Sequence, residues 1–361
     1  MSEHKYMEKL RWGILGTADI ARQNWRAIFD SGNSVVAAVA SRDAERSRQF
    51  INKCQAENTF EEEPRAYGNY QELIEAPDIE AVYIPLPTGL RKEWVVNAAR
   101  AGKHVLSEKP SGVCLHDVQE MTDICRLNNV QFMDGVMFMH NPRLQRIHEV
   151  LQDGESIGQI KRISSMFSFF APQEYQQRNI RLHSALEPAG CLGDLGWYDI
   201  RFSLWAMGWE LPQAVSGRIL SQRSSDTSPA PTPTDFSGEL IFNEDTSAGF
   251  HCSFLTSFQQ WAIISGTKGS LSLSDFVHPV SIHEPSFDVN NKEIRVKCCD
   301  CTRKHSKSRS QAQDTKMIRN FAHQIHSGQL NDVWPMMSIK TQQVLDACFQ
   351  SAKNGGRLIF L

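Results

Sequence analysis

The feature that most constrains the fold is an alternation of short apolar runs with amphipathic segments over residues 10–135. The apolar runs are continuously hydrophobic, as expected for strands that are buried on both faces of a sheet. Strands that alternate with helices predict a parallel, doubly wound sheet, which is the Rossmann arrangement. The predicted strands cover residues 10–15, 35–40, 81–86, 104–107 and 130–135, and the predicted helices cover 20–29, 44–54, 92–101 and 116–127.

Beyond about residue 150 the pattern changes to successive strands with few helices between them, which predicts a large, mostly antiparallel, open sheet within a second α/β domain. Two helices, at 316–327 and 338–354, are predicted to close the chain, and 221–235 and 297–310 are predicted loops. A chain of 361 residues favours two domains. We therefore predict a Rossmann domain at 1–135 and a substrate-binding and oligomerisation domain at 136–361. The predicted strands of the second domain cover residues 160–170, 214–220, 237–242, 248–255, 261–265 and 270–273.

Composition excludes several classes of function. A net charge of -3 gives no electrostatic reason for a nucleic-acid partner, and no apolar run is long enough to span a membrane. The N-terminus lacks a secretory cleavage pattern, so we expect a cytoplasmic protein with mostly free thiols. The cluster Cys298, Cys299 and Cys301, with His305 nearby, fits an exposed loop of free thiols better than a zinc site, because adjacent cysteines suit tetrahedral zinc poorly. We predict no metal site.

The first chemical motif is GTADIA, residues 16–21, between the first predicted strand and the first predicted helix. It is a degraded form of the dinucleotide fingerprint, in which Gly16 supplies the tight turn and Ala18 replaces the second glycine. The amides at a helix N-terminus still favour a diphosphate. The alternative is a plain turn between strand and helix. The predicted cofactor contacts are Gly16, Thr17, Ala18, Asp19 and Ile20.

The second motif, Ser41 and Arg42, ends the second predicted strand. An NAD site usually has an acidic residue here, whereas a hydroxyl and a guanidinium suit the 2′-phosphate of NADP. We therefore favour NADP over NAD. The alternative is that Ser41 and Asp43 cap the next helix while Arg42 is simply solvated.

Seven segments occur in this order along the chain: WGILGTADIA (12–21), YIPLPTGLRKEW (83–94), AGKHVLSEKP (101–110), NIR (179–181), GCLGDLGWYDI (190–200), GTKGSLSL (266–273) and VLDACFQSAKNGG (344–356). Together they resemble the glucose–fructose oxidoreductase / inositol dehydrogenase family, also called Gfo/Idh/MocA. The resemblance implies a dinucleotide along the Rossmann domain, a substrate over the open sheet and a homodimer or homotetramer.

In the cofactor-binding half, the resemblance implies that Lys109 is the catalytic lysine, that Glu108 lies near the nicotinamide ribose, and that Pro110 follows a cis peptide bond. The same segments imply cofactor contacts from Pro85, Leu86 and Pro87.

In the substrate half, Asp194 and Tyr198 match the family's D-x-G-x-H/Y positions, and Arg181 matches an arginine that faces the substrate. His183 is a further candidate substrate contact, with a structural role as its alternative. Two positions depart from the family: Arg91 stands where relatives commonly have histidine, and Gly135 lacks a glutamate carboxylate.

These residues suggest a chemistry. Oxidation of an alcohol needs a base for the hydroxyl proton and an acceptor for the hydride. A free tyrosine, with a pKa of about 10, is a poor base, but a nearby ammonium favours its phenolate. Lys109 would therefore activate Tyr198, and Asp194 would orient either partner. The alternative is a surface lysine, a core tyrosine and a helix-capping aspartate.

We predict an oxidoreductase that moves a hydride between NAD(P) and a hydroxyl or carbonyl carbon of a sugar, cyclic polyol or related compound. Two alternatives remain at this point. One is a cofactor-binding regulator without catalysis, and the other is a lyase or glycosidase that uses NAD only transiently.

Overall fold

A computed structural model describes residues 8–279, 286–291, 295–299 and 312–361. Its first half contains six strands, β1 to β6, and five helices, α1 to α5. The strands are Leu10–Leu15, Ser34–Ala40, Arg65–Tyr67, Ala81–Ile84, His104–Ser107 and Phe132–Asp134, and the helices are Asp19–Ser31, Ala44–Gln55, Tyr70–Glu75, Thr88–Arg100 and Leu115–Leu127.

The six strands form one parallel sheet in the order β3-β2-β1-β4-β5-β6. This confirms the predicted Rossmann fold. Every residue of β4 is buried, as the continuous apolar run predicts for a strand covered on both faces. The strand order reverses between β1 and β4, and a ligand crevice lies at such a switch point, beyond the carboxyl ends of the strands.

The remaining described residues add nine strands, β7 to β15, and five α-helices, α6 to α10. The strands are Ile160–Ser168, Ala214–Arg223, Thr232–Asn243, Thr246–Ser253, Gln259–Gly266, Gly269–Leu273, Ser286–Asn291, Arg295–Cys299 and Ile359–Phe360, and the helices are Arg143–Gln152, Gln173–Arg178, Trp197–Ala206, Gln313–His326 and Val333–Lys353.

These strands form a second sheet in the order β14-β13-β12-β11-β7-β10-β9-β8-β15. All neighbours are antiparallel except β7 and β10, which run parallel. The predicted open, mostly antiparallel sheet is therefore confirmed. The sequence analysis missed the short elements β3, α3 and α7, because three to six residues are too few to show a period.

The closing helices return to the first sheet. Helix α9 packs beside α1. The ring of Phe321 on α9 lies 5.2 Å from the ring of Trp12 on β1. Arg319 donates from Nε to the carbonyl oxygen of Ser31 at 3.0 Å. The second half of the chain thus covers part of the first sheet, and the boundary at residue 135 stays a prediction.

The predicted loop at 221–235 is wrong at both ends, since β8 reaches Arg223 and β9 begins at Thr232. Thr232 and Thr234 are fully buried, and Thr234 Oγ1 donates to Ser221 Oγ at 3.1 Å. Pro233 is tolerated because the register of the two strands shifts beside it, and a proline without an N–H fits such an irregularity.

Two further boundaries differ from the prediction. Lys297–Cys299, predicted as loop, belong to β14, while Cys301 and His305 lie outside the described residues. Helix α10 begins at Val333 rather than residue 338, because Pro335 falls in its first turn, where a proline is tolerated. Among the described helices, none combines the length and apolar character needed to cross a bilayer.

Candidate active site

A cleft of about 710 Å³ lies at the carboxyl ends of β1, β4 and β5 and extends to β7 and α8 of the second sheet. It therefore occupies the crevice that the strand order predicts for a ligand. Of the residues predicted to form the site, it brings together Ala18, Asp19, Ile20, Pro85, Leu86, Pro87, Glu108, Lys109, Arg181, Asp194 and Tyr198.

The nucleotide end of the cleft is formed by the turn between β1 and α1. Gly16 has a φ of 122°, and its N–H donates to the carbonyl oxygen of Ala40 at 2.8 Å. Ala18 occupies the N-cap of α1 without a side-chain hydrogen bond, and Ala18, Asp19 and Ile20 are exposed. The first amides of α1 thus lack a side-chain cap and fit a diphosphate group.

At the end of β2, Ser41 and Asp43 form the cap of α2, while Arg42 remains exposed. Ser41 is buried and donates from Oγ to the carbonyl oxygen of Asp43 at 2.6 Å, while Asp43 Oδ1 accepts from the N–H of Glu45 and caps α2. Arg42 is exposed and forms no ion pair with any residue of the described ranges. Ser41 and Arg42 do not line the 710 Å³ cleft.

Arg46 was missed by the sequence analysis. Its Nε donates to Thr17 Oγ1 at 2.9 Å, which ties the first turn of α2 to the turn after β1. The available signal was its spacing of four residues from Arg42. Arg46 therefore lies beside the turn that forms the nucleotide end of the cleft, and Arg42 is exposed one helical turn before it.

A buried hydrogen-bond chain connects α1 to Glu108. The side-chain amide of Asn24 donates to Tyr83 Oη at 2.8 Å, and Tyr83 Oη donates to Glu108 Oε1 at 2.6 Å. Burial and the charge of Glu108 raise the pKa of Tyr83 well above its ordinary value, so this phenol stays neutral. Asn24 Oδ1 is buried in the cleft wall without a donor among the described residues. Such an acceptor fits a ligand amide, which the nicotinamide carboxamide supplies.

The centre of the cleft is an ion-pair cluster of Lys109, Asp194 and Arg181. Lys109 Nζ lies 2.8 Å from Asp194 Oδ1 and 2.7 Å from its carbonyl oxygen, and Arg181 Nε lies 2.6 Å from Asp194 Oδ2. Burial alone would raise the pKa of Asp194, but the charges of Arg181 and Lys109 and their hydrogen bonds hold it below its usual range. The peptide bond between Lys109 and Pro110 is cis, as the resemblance implied.

Local structure explains how Asp194 reaches this cluster. A π-helical turn at Leu192–Gly196 runs directly into α8, so Asp194 lies one wide turn before Tyr198. Turns of this kind are frequent at functional sites. Asp194 and Lys109 are 85 residues apart in the chain, and only the packing of the two sheets brings them together.

Tyr198 does not have the electrostatics predicted for it. The ammonium of Lys109 lies 4.7 Å from the centre of the Tyr198 ring, and Tyr198 Oη contacts Met137 Sδ at 3.8 Å. Burial, together with the carboxylates of Glu108 and Asp194, raises the pKa of Tyr198 well above its ordinary value. This arrangement does not favour the predicted phenolate, because burial and negative charge outweigh the nearby cations.

His183 is the predicted substrate contact that the structure does not support. It follows the 3₁₀ turn Ile180–Leu182 and does not line the cleft, whereas Ile180 and Arg181 do. With three residues per turn, Arg181 and His183 cannot face the same side. The cleft also contains residues that the sequence analysis missed, namely Asn24, Phe167, Phe169, Glu187, Phe258, His278 and Asp314.

The structure shows the surroundings of Gly135 and Arg91, the two positions that depart from the family. A Cβ atom on Gly135 would lie 3.0 Å from Glu108 Oε1, so the space of a longer side chain at this position is taken by the Glu108 carboxylate. Arg91 is 4% exposed, and its guanidinium contacts backbone carbonyl groups at the edge of the cleft.

Comparisons with known proteins agree with this architecture. Residues 10–136 match a model described as an oxidoreductase family with an NAD-binding Rossmann fold, and residues 144–272 match the GFO/IDH/MocA C-terminal domain. A D-xylose 1-dehydrogenase (NADP(+)) from Haloferax volcanii is 27% identical over 96% of this chain and 98% of its own. A trans-1,2-dihydrobenzene-1,2-diol dehydrogenase from Mus musculus is 30% identical over 76% of this chain and 77% of its own.

Solved structures share the fold. A variant of a 3-ketoreductase from Actinomadura kijaniata, in complex with TDP-benzene and NADP, superposes with a TM-score of 0.81 at 24% identity, over 95% of this chain and 98% of its own. An aldose-aldose oxidoreductase from Caulobacter crescentus, complexed with glycerol, gives 0.83 at 22% identity, over 98% of this chain and 100% of its own. The chain belongs to the Gfo/Idh/MocA oxidoreductase family. It is an NAD(P)-dependent oxidoreductase that acts on CH–OH groups.

Proposed function

We propose that this enzyme interconverts a hydroxyl and a carbonyl group on a sugar, cyclic polyol or related compound with NADP as the preferred cofactor. The observation that carries the proposal is the cluster of Lys109, Asp194 and Arg181 in a cleft that begins at the uncapped N-terminus of α1. One end of the cleft fits a dinucleotide and the other end presents a positioned cation to a substrate oxygen.

The residues that would hold the cofactor are the turn from Gly16 to Ile20 and the segment from Pro85 to Pro87. The unpaired Oδ1 of Asn24 would accept a hydrogen bond from the nicotinamide carboxamide. Arg42 and Arg46 would pair with a 2′-phosphate. When bound, the nicotinamide supplies or accepts the hydride.

Lys109 is the group that we assign to the substrate oxygen. An ammonium has three N–H donors. Two of them bind Asp194, at 2.7 and 2.8 Å, and the third remains for an oxygen in the cleft. Negative charge develops on that oxygen as a carbonyl is reduced, and a positioned ammonium stabilises this charge and transfers the proton.

Tyr198 acts as a neutral hydrogen-bond donor in this scheme. Its hydroxyl contacts only a thioether at 3.8 Å among the described residues, and thioether sulfur is a weak acceptor. Exchange of this contact for a substrate oxygen would therefore cost little. Asp194 holds the lysine, and Arg181, which lies on the substrate side, holds Asp194.

The walls of the cleft suit a ring that has both hydroxyl groups and an apolar face. Phe167, Phe169, Phe258 and Ile180 line the same cleft as the ion-pair cluster. The relatives named above act on D-xylose and on a cyclic diol, and both molecules have this character.

Turnover assays test the proposal. D-xylose, other aldoses, cyclic polyols and trans-dihydrodiols would be screened with NADP and NAD, in both directions, by nicotinamide absorbance. We expect Lys109→Ala to lower kcat by about 10²–10⁴-fold, and Tyr198→Phe by about 10–100-fold, since one hydrogen bond to a charged oxygen is lost. Lys353→Ala, which removes a lysine at the end of α10, is the control and should keep full activity.

Two results would contradict the proposal. Product formation without net change in the nicotinamide would indicate transient use of the cofactor, as in a lyase or glycosidase. Cofactor binding without turnover of any substrate would indicate a regulator.

We also propose that the chain assembles as a homodimer or homotetramer through the open sheet. Helices α8 and α10 cover one face of this sheet, whereas the opposite face exposes side chains of β7, β8 and β11. A cytoplasmic location is proposed on the scattered, odd set of 9 cysteines.

A further inference from the structure

Arg91 contacts three separate segments of the chain at the edge of the cleft, two through backbone carbonyl groups and one through a carboxylate. Its Nε donates to the carbonyl oxygen of Leu86 at 2.6 Å, and its Nη1 donates to the carbonyl oxygen of Pro110. Its Nη2 lies 4.0 Å from Glu187 Oε1. One side chain on α4 thus contacts the segment after β4, the segment after β5 and the segment that precedes the π-helical turn.

Two of these contacts, with Pro110 and with Glu187, lead to the ion-pair cluster. Pro110 directly follows Lys109, so the Pro110 carbonyl group fixes the backbone on one side of the catalytic lysine. Lys109 binds Asp194, and Asp194 binds Arg181, which lies six residues before Glu187. The contacts therefore form a closed circuit from Arg91 through Lys109, Asp194 and the 181–187 segment back to Arg91.

Glu187 also binds α4 directly, through Thr88. Its Oε1 accepts from the N–H of Thr88 at 3.0 Å, and its Oε2 accepts from Thr88 Oγ1 at 2.6 Å. The N–H of Gly89 donates to the carbonyl oxygen of Leu186 at 2.8 Å, and a Cβ atom on Gly89 would lie 2.4 Å from the carbonyl oxygen of Ala185. The first turn of α4 is therefore held tightly against the segment that carries Glu187.

The geometry suits an arginine better than a histidine or a lysine. A guanidinium presents five N–H donors in a rigid fork, whereas a neutral imidazole has one N–H and an ammonium is a point charge on a flexible stem. A neutral histidine has too few donors for these contacts, and a lysine would have to reach both carbonyl groups and the carboxylate from one nitrogen instead of three. Burial lowers the pKa of Arg91, and the charges of Glu187 and Glu108 oppose this shift, so the side chain stays ionised.

We propose that Arg91 is a positioning residue that sets the ammonium of Lys109 against Asp194 by holding the backbone of Lys109 and Pro110. The inference rests on the proposed function only for its kinetic consequence, since the position of Lys109 can be measured without turnover. A change at Arg91 should therefore act through Lys109 and leave cofactor binding nearly unchanged.

Chemical labelling tests the position directly. Lys109 would be acetylated with acetic anhydride, and its labelling rate would be measured by peptide mass spectrometry relative to Lys103, a remote buried lysine that donates to the carbonyl oxygens of Ala76 and Ile79. We expect Arg91→Lys to raise the rate at Lys109 severalfold. An unchanged rate would overturn the proposal.

Arg143→Lys is the matched control. Arg143 is 2% exposed, pairs with Asp275 at 2.5 Å and donates to the Asp275 carbonyl oxygen at 2.8 Å, but it does not line the cleft. Its substitution should lower the melting temperature without raising the labelling of Lys109. Equal increases in both variants would mean general loosening and would overturn the proposal.

Kinetics provides the second test. Arg91→Lys should lower kcat by about 10–100-fold, the scale of a small misplacement of a catalytic group, with the Kd for NADP within about twofold. In the Lys109→Ala background the same substitution should lower kcat no further, since residues that act as a unit are not additive. Equal losses in both backgrounds, or a loss confined to cofactor affinity, would refute the proposal.

A milder variant covers the case in which Arg91→Lys does not fold. Glu187→Gln has the same shape and keeps one of the two acceptors for Thr88, but it removes the negative charge that faces Arg91. It should raise the labelling of Lys109 in the same direction, and no change would count against the proposal. If the wild-type protein shows no turnover with any substrate, the proposed function fails, and the labelling still decides the role of Arg91.

Discussion

At the scale of single residues, we expect Arg42 and Arg46 to set the preference between NADP and NAD. Both side chains are exposed, Arg46 binds Thr17 in the turn after β1, and only NADP carries a 2′-phosphate. A hydrogen bond between charged groups contributes about 1.5–3 kcal/mol, so Arg42→Ala and Arg46→Ala should each weaken NADP binding by about 10–100-fold. Binding of NAD should change little.

Calorimetry with both cofactors measures this difference. Arg48→Ala is the control, because Arg48 lies in the same helix but pairs with Glu45 at 3.1 Å. Equal losses of NAD and NADP affinity in Arg42→Ala would show that this residue does not contact a 2′-phosphate.

Tyr198 leads to a prediction about pH. Because its pKa is raised, the hydroxyl is neutral at every pH below the ordinary tyrosine value of about 10. Ultraviolet titration of phenolate should therefore give the same curve for the wild-type protein and Tyr198→Phe up to about pH 10. A tyrosine that ionises near neutral pH in the wild-type protein and is absent from the variant would restore the phenolate mechanism.

At the scale of elements, the π-helical turn depends on the glycine before it. Gly190 has a φ of 50°, and a Cβ atom there would lie 2.2 Å from the carbonyl oxygen of Pro233 on β9. Gly190→Ala must therefore shift either the turn or the strand. We expect a lower melting temperature and weaker activity, because Asp194 would move with the turn.

Gly328→Ala isolates the backbone part of this effect. Gly328 has a φ of 68°, but nothing lies within 4 Å of a Cβ atom built there. Gly328→Ala should lower the free energy of unfolding by about 1–2 kcal/mol, which is the cost of a left-handed backbone conformation for alanine. Unfolding experiments should show a larger loss for Gly190→Ala, and equal losses would argue against close packing of the turn on β9.

At the scale of the whole molecule, the open sheet predicts self-association. Ile263 is 37% exposed on β11, Leu220 is 56% exposed on β8, and Trp261 is half-buried on the same sheet. Exposed apolar side chains on a sheet face that no helix covers favour an interface between subunits. Light scattering should give a multiple of the 40.9 kDa chain mass, and Ile263→Glu should shift it towards the monomer. A wild-type mass of one chain at micromolar concentration would contradict the assembly.

Neighbouring residues were enough to predict the order and type of most long elements, although not the ten-residue helix α6. The location of the nucleotide end stays a prediction. Continuous apolar runs, Gly16 at the first turn and Asp43 as the cap of α2 are local features, and local features are encoded by neighbouring residues. The family segments also led to Lys109, Asp194, Arg181 and the cis peptide before Pro110.

Tertiary structure alone decided how these residues interact. Asp194 meets Lys109 across 85 residues of chain, and Arg91 meets Glu187 across the junction of the two sheets. Burial cannot be seen in a local sequence pattern. It raises the pKa of Tyr198, where the sequence analysis expected a lower one, and it accompanies a strand at Thr232–Thr234, where the sequence analysis expected a loop. The pKa of a group depends on every charge and dipole packed around it, and those neighbours come from distant parts of the chain.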